Sequence, residues 1–203
     1  LSFSTEQEEF WAGKFGNQYI ERNTHERLLM PKVAMWSKML SSAHGITSVL
    51  ELGCNIGGNL LALNKLMPSL KLSGIEINEE AAKRASELEI AKITRGTILD
   101  PIEHDAVDLT FTAGVLIHIN PDRLHDVYTN LFEVSRRYVL VAEYYNPTPT
   151  TISYRGSTDR LFKRDFAGEL MDQFGLKLVD YGFIYKRDNW APQDDITWFL
   201  MEK

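Results

Sequence analysis

Apolar positions along the chain fall into two alternating rhythms. Short apolar runs predict strands near residues 47–52, 71–76, 91–94, 107–112 and 137–143. Between them, apolar residues three or four apart predict helices near 57–67, 79–88 and 121–134. Asn78 before Glu79 and Glu80, and Asn120 before Pro121, are helix starts. Strands alternating with helices imply a parallel sheet covered on both faces. Ahead of the sheet, Ser4 or Thr5 caps a first helix, with Gln7 or Glu8 reaching back. Glycine inside a helix costs about 1 kcal/mol, so a break is expected near Gly13–Gly16. A second helix is expected over Glu26–Ser42, kinked or split at Pro31, with Leu28, Leu29, Val33, Met35, Trp36 and Leu40 buried. After the fifth strand, residues 144–159 form a long connection rich in Pro, Thr and Tyr, of a length that is usually functional or disordered. A helix over Lys163–Gln173 follows. Two further runs, Leu176–Tyr185 and Ile196–Met201, read as an antiparallel pair at one sheet edge.

Composition narrows the picture. At 203 residues and 44% hydrophobic, the chain suits a single domain over residues 1–203, with a helical cap or lid in 1–45 and a core in 46–203. The charge sum, 22 − 28 = −6, argues against a protein that clamps nucleic acid non-specifically. The lone Cys54 excludes an intrachain disulfide and a cysteine-rich zinc site. His25, His44, His104 and His125 have no metal-ligand spacing, and no metal is expected. No apolar run approaches the length of a membrane span, and no signal-peptide pattern is seen, so a cytoplasmic protein is expected. The sequence does not set the oligomeric state.

The stretch from Ser48 to Leu60 (Ser-Val-Leu-Glu-Leu-Gly-Cys-Asn-Ile-Gly-Gly-Asn-Leu) joins an apolar strand to an apolar helix through a glycine turn. That unit belongs to nucleotide-binding sheets, whose ligand lies beyond the carboxyl end of the strand. Spacing separates three ligands. No Gly-Lys-Ser/Thr follows, so phosphates are not cradled as in a P-loop. Asn55 stands where a dinucleotide fold needs its second glycine and would crowd a pyrophosphate. A nucleoside without phosphates remains, its amino-acid tail lying against Gly53, Cys54 and Asn55, with Gly57 permitting close approach. Glu51-Leu-Gly-Cys-Asn-Ile-Gly57 resembles motif I of class I S-adenosylmethionine (SAM) methyltransferases. Glu76, with Ile77 beside it, stands 23 positions after Gly53. An acid there accepts hydrogen bonds from both ribose hydroxyls; otherwise it caps the helix opening at Asn78. After the third strand, Thr97 stands where such enzymes often hold an acidic side chain against the adenine amino group, so recognition falls to Thr97 or the Ile98 backbone. Gly114 and Val115, after the fourth strand, complete the expected cofactor contacts.

His118 follows them beyond the strand end, where a group titrating near neutrality can take a proton from an incoming hydroxyl or ammonium; otherwise it is a packed, hydrogen-bonded core residue. Glu143, ending the fifth strand, points at the same crevice. Trp11 and Tyr19 either pack on the sheet or close a lid over the site. Tyr145, Tyr154, Arg155 and Lys163 lie in or beside the long connection, where Arg155, Arg160, Lys163 and Arg164 gather four cations in a net acidic chain. They suit an anionic group on the substrate, or pair with Asp159 and Asp165 on the surface.

Over nearly its full length the chain also resembles the methylases associated with pseudaminic acid biosynthesis. The resemblance rests on Thr5–Asn23, Glu143–Pro149, Tyr154–Gly156, Leu161–Gly168 and Asp194–Leu200. It implies a Rossmann-like class I methyltransferase, α/β, with a mostly parallel seven-stranded sheet, an antiparallel last strand and helices on both faces. It further implies SAM as cofactor and a small-molecule acceptor, an amino sugar or nucleotide-linked sugar, methylated at N or O. His118 or Glu143 would remove the acceptor's proton while Tyr19 and Trp11 close the site. A SAM-binding protein without catalysis would carry the same motif I and Glu76.

Overall fold

The computed structural model describes residues 3–21, 25–154 and 157–203. Two short helices open it, α1 (Glu6–Ala12) and α2 (Lys14–Ile20), broken at Gly13, which ends one and starts the other. Thr5 and Glu8 cap α1 reciprocally. α3 (His25–Met39) runs through Pro31 as one helix rather than splitting there. Burial of Met35, Trp36 and Met39 in the core holds its second half on the sheet, and Trp36 meets Phe111 at 4.5 Å between ring centres. The apolar contact offsets the one backbone hydrogen bond that proline removes.

The sheet then builds in the expected rhythm: β1 (Ser48–Leu52), α4 (Gly58–Leu66), β2 (Lys71–Glu76), α5 (Glu79–Ser86), β3 (Ala91–Arg95) and β4 (Val107–Ala113). Two single 3-10 turns, Leu116–His118 and Pro121–Arg123, lead into α6 (Leu124–Val134) and β5 (Ser135–Glu143). The long connection is not a loop. It holds a hairpin, β6 (Thr150–Tyr154) and β7 (Ser157–Lys163), whose strands pair antiparallel from Thr150↔Lys163 inward. Thr150, Thr151 and Ile152 are β-branched and favour that pairing; Leu161 of β7 is buried under it. The helix expected from Lys163 starts three residues later as α7 (Phe166–Phe174), because β7 continues to Lys163 and Asp165 supplies the cap, accepting from Gly168 N at 2.8 Å. β8 (Lys177–Ile184) and β9 (Ile196–Glu202) close the chain.

The strand order is β3-β2-β1-β4-β5-β9-β8. β9 runs antiparallel to both neighbours and β8 forms the edge. One apolar cluster lies between the sheet and α3–α4, around Trp36, Leu60, Phe111 and Trp198. The other lies toward α6–α7, around Leu52, Tyr128, Val141 and Leu170. All parallel strands deliver their carboxyl ends to one rim, and β9 begins there. That rim holds the site.

Candidate functional site

β1 leads into a turn whose torsions only certain residues tolerate. Gly53 (φ 79°), Asn55 (φ 48°) and Gly57 (φ 78°) are left-handed. A Cβ on Gly53 would lie 2.7 Å from Val115 Cγ2, so torsion and space both demand glycine. Asn55 takes the torsion a glycine would, as asparagine can, and turns its amide oxygen onto Ile56 N at 2.6 Å. Its own N–H donates to Glu76 Oε2 at 2.7 Å, and Asn78 N donates to Glu76 Oε1 at 2.8 Å. Glu76 is thereby buried at the end of β2 and locked to the glycine turn. Each carboxylate oxygen has a further lone pair, so both can still accept a hydroxyl. Capping of α5 is done by Asn78 Oδ1, which accepts from Ala81 N at 3.0 Å. Ile77 lies between these two backbone anchors. Cys54 is buried, with its thiol pushed up by burial, and a Cβ on Gly74 would meet its Sγ at 2.8 Å.

Behind the turn stands a buried acid–base pair that the sequence reading missed. Asn59 of α4 donates to Glu51 Oε1 at 2.6 Å and accepts from Lys32 Nζ at 2.7 Å. Glu51 Oε2 is buried with no hydrogen-bond partner among the described residues. Burial pushes Glu51 up to about 8 and Lys32 down, each opposed by attraction to the other. Lys32 had a legible signal. It stands four residues after Leu28 and four before Trp36, on the apolar stripe of its helix.

The N-terminal helices lie across the rim beside β2 and β3. Asn78 Nδ2 donates to Trp11 O at 3.1 Å, Ala12 O at 3.3 Å and Asn17 Oδ1 at 2.9 Å. At Gly16 a Cβ would lie 1.9 Å from Trp11 O, so the crossing tolerates no side chain. Thr97, after β3, donates its hydroxyl to Glu8 Oε1 and accepts from Leu99 N at 3.0 Å. An acid from α1 thus lies beside Thr97 in the loop after β3. Asn130 of α6 fixes the same loop, donating to Ile98 O at 2.9 Å and Asp100 O at 2.8 Å. From sequence Glu8 was legible only as part of the α1 cap and Asn130 not at all, since contacts across 89 and 32 residues leave no local pattern.

At the end of β4, Gly114 (φ 70°) faces open space, with no atom within 4 Å of where its Cβ would be. His118 ends the following 3-10 turn and is half-buried. The Trp11 ring lies 4.6 Å from the His118 ring and 5.3 Å from that of Tyr19. Trp11 thus brings the N-terminal helices against His118 and also contacts Tyr19. Glu143 ends β5 buried, its Oε1 accepting from Val115 N at 3.0 Å, Leu116 N at 3.1 Å and Thr112 Oγ1 at 3.1 Å. Burial pushes its carboxyl up to about 7 against those bonds. β7 packs on the same 3-10 turn. Tyr145 is partly exposed beside Phe199, and Lys163 sits 5.3 Å over the Tyr144 ring. Arg164 pairs with Glu169 at 2.5 Å rather than with Asp165; the Asp159 side chain lies outside the described residues. Arg155 lies outside the described residues, as do the side chains of Tyr154 and Arg160.

Among the described residues no group of three His, Cys, Asp or Glu side chains gathers to hold a metal ion, and no helix is long and apolar enough to cross a membrane. No family model matches the chain, and no curated protein matches it in sequence. Solved structures do match its fold. Magnesium protoporphyrin IX methyltransferase from Synechocystis PCC 6803, with bound S-adenosylhomocysteine (SAH), superposes with a TM-score of 0.71 at 10% identity, over 97% of each chain. The N-methyltransferase NodS from Bradyrhizobium japonicum WM9, in complex with SAH, gives 0.68 at 16% identity over 98% of this chain and 97% of its own. The plantazolicin methyltransferase BpumL, also with SAH, gives 0.66 at 14% over 97% and 94%. The chain has the Rossmann-like fold of class I SAM-dependent methyltransferases.

Proposed function

We propose that the chain is a SAM-dependent methyltransferase that methylates a nitrogen or oxygen of a small molecule. The carrying observation is the pair of buried strand-end acids around the glycine turn, Glu51 with an unpartnered oxygen and Glu76 with lone pairs to spare. The residues fit the cofactor. The unpartnered Glu51 Oε2 and the Lys32 ammonium nearby match the ammonium and carboxylate of an amino-acid tail lying on Gly53, Cys54 and Asn55. Glu76, with Ile77, would take the ribose, Thr97 and Ile98 would border the adenine, and Gly114, open where a Cβ would be, would lie with Val115 toward the sulfonium. SAM supplies a methyl group already activated by its positive sulfur.

The chain's own work is then positioning, which can lower a barrier by roughly 7–11 kcal/mol in well-oriented cases. His118 accepts the proton that the acceptor heteroatom releases, and Trp11 against its ring keeps water from it. Glu143 holds the Val115–Leu116 turn that presents His118. α1 and α2 act as a lid on the sheet's rim, with Tyr19 closing over Trp11, while α3 belongs to the core. For the acceptor we favour an amino sugar or nucleotide-linked sugar, on the resemblance to the pseudaminic acid-associated methylases, with Tyr145 and Lys163 along its path. A screen of SAM consumption against nucleotide sugars, free amino sugars and small amines tests this. Turnover with an amino-bearing sugar is the expected result. SAM binding without turnover on any of them would leave a binding protein instead of an enzyme.

A further inference from the structure

Glu143 is divided in its commitments. Its Oε1 carries three hydrogen bonds, to Thr112, Val115 and Leu116, while its Oε2 is buried and meets no donor among the described residues. A buried polar atom without a partner is costly and marks either a bound group or a water. The carboxyl lines a cavity of about 10 Å3 with Tyr145, Arg164, Phe166, Thr197 and Phe199, which is room for one water-sized group.

Charge decides what that group is. Arg164 is neutralised by Glu169 at 2.5 Å, and Glu169 also accepts from Tyr128 Oη at 2.7 Å. Among the described residues lining the cavity, Glu143 is the acid with no paired cation. Tyr145 and Phe199, 5.9 Å apart at 49° between planes, offer aromatic faces beside it. A small cation with N–H donors satisfies all three features: a hydrogen bond to Oε2, charge balance, and cation–π contact. Carboxylates and phosphates are too large and carry the wrong sign.

We propose that this cavity binds a primary ammonium group of the methyl acceptor. The proposal rests on the methyltransferase reading and deepens it. A nitrogen held there by a carboxylate stays protonated and has no free lone pair, so it anchors the acceptor and another heteroatom receives the methyl. The same carboxyl fixes Val115 and Leu116, immediately before His118, and thereby ties the anchor to the proton-accepting side of the site.

The test compares D-glucosamine with D-glucose, which differ in a single amino-for-hydroxyl exchange, by chemical-shift titration of SAH-loaded protein. Glucosamine should bind wild type about tenfold or more tightly than glucose, the effect of one hydrogen bond to a charged group. Glu143→Gln, shown folded by its melting transition, should abolish that preference. Should Glu143→Gln fail to fold, Tyr145→Leu provides the second reading, reducing the preference several-fold through loss of one cation–π face. Equal binding of the two sugars to wild type that binds SAH would overturn the ammonium site and leave methyl transfer standing. Failure of wild type to bind SAH would overturn both.

Discussion

At the β1–β2 end of the rim, Glu51 and Glu76 are held by groups close to them in the chain: Asn59, Asn55 and Asn78 are 8, 21 and 2 residues away. At the β4–β5 end, Glu143 is held by Val115, Leu116 and Thr112, 27 to 31 residues away, and is faced by Arg164 just after β7 and by the start of β9. Both ends bury acids that burial pushes up toward neutrality, and both leave one oxygen unpartnered. The first end is a prefabricated unit of strand, turn and helix. The second is assembled only when the sheet closes. Loops at one end of such a rim can vary without disturbing a glycine turn at the other.

The largest expected effect isolates the β4–β5 acid by pH. Glu143 has its carboxyl raised from 4.5 to about 7 in the folded protein. Between those values the folded state binds a proton that the unfolded state has lost. This group's contribution to stability is therefore complete below pH 4.5 and falls as pH rises toward 7, by roughly 3 kcal/mol in all. Urea unfolding of wild type and Glu143→Gln at pH 5 and pH 8 should show the variant gaining on wild type at the higher pH. Parallel pH profiles would mean that the β4–β5 acid is not titrating in a buried site.

A smaller effect is expected from the other end. Glu76→Ala removes a charged acceptor worth about 1.5–3 kcal/mol, so SAM affinity should fall roughly ten- to hundredfold in calorimetry while the fold persists. Unchanged affinity would reduce Glu76 to an anchor for Asn55 and Asn78, and would erase the distinction between a cofactor end and an acceptor end.

The same division explains what the sequence made legible. Strand and helix positions, the glycine turn and the place of Glu76 follow from periodicity and spacing within some 25 residues, and the structure has them at those places. The break at Gly13 was readable because two glycines interrupt one helical pattern. The hairpin was not, since Pro147 and Pro149 read as loop and its pairing depends on burying Leu161 against the core. Lys32 lay on the apolar stripe of α3, yet nothing local showed that Asn59 would be its partner 27 residues on. The Thr97–Glu8 bond was out of reach for the same reason: the side chain that completes the β3 loop comes from the first helix.

Calorimetry of the full chain with SAH and, separately, with NAD goes to the centre of the matter. On the proposed reading, with Asn55 in place of a glycine, Glu76 assigned to the ribose and an unpartnered Glu51 behind the turn, SAH is expected to bind at one site per chain and NAD to give no binding heat. Binding of NAD with none of SAH would contradict the assignment of this rim to methyl transfer.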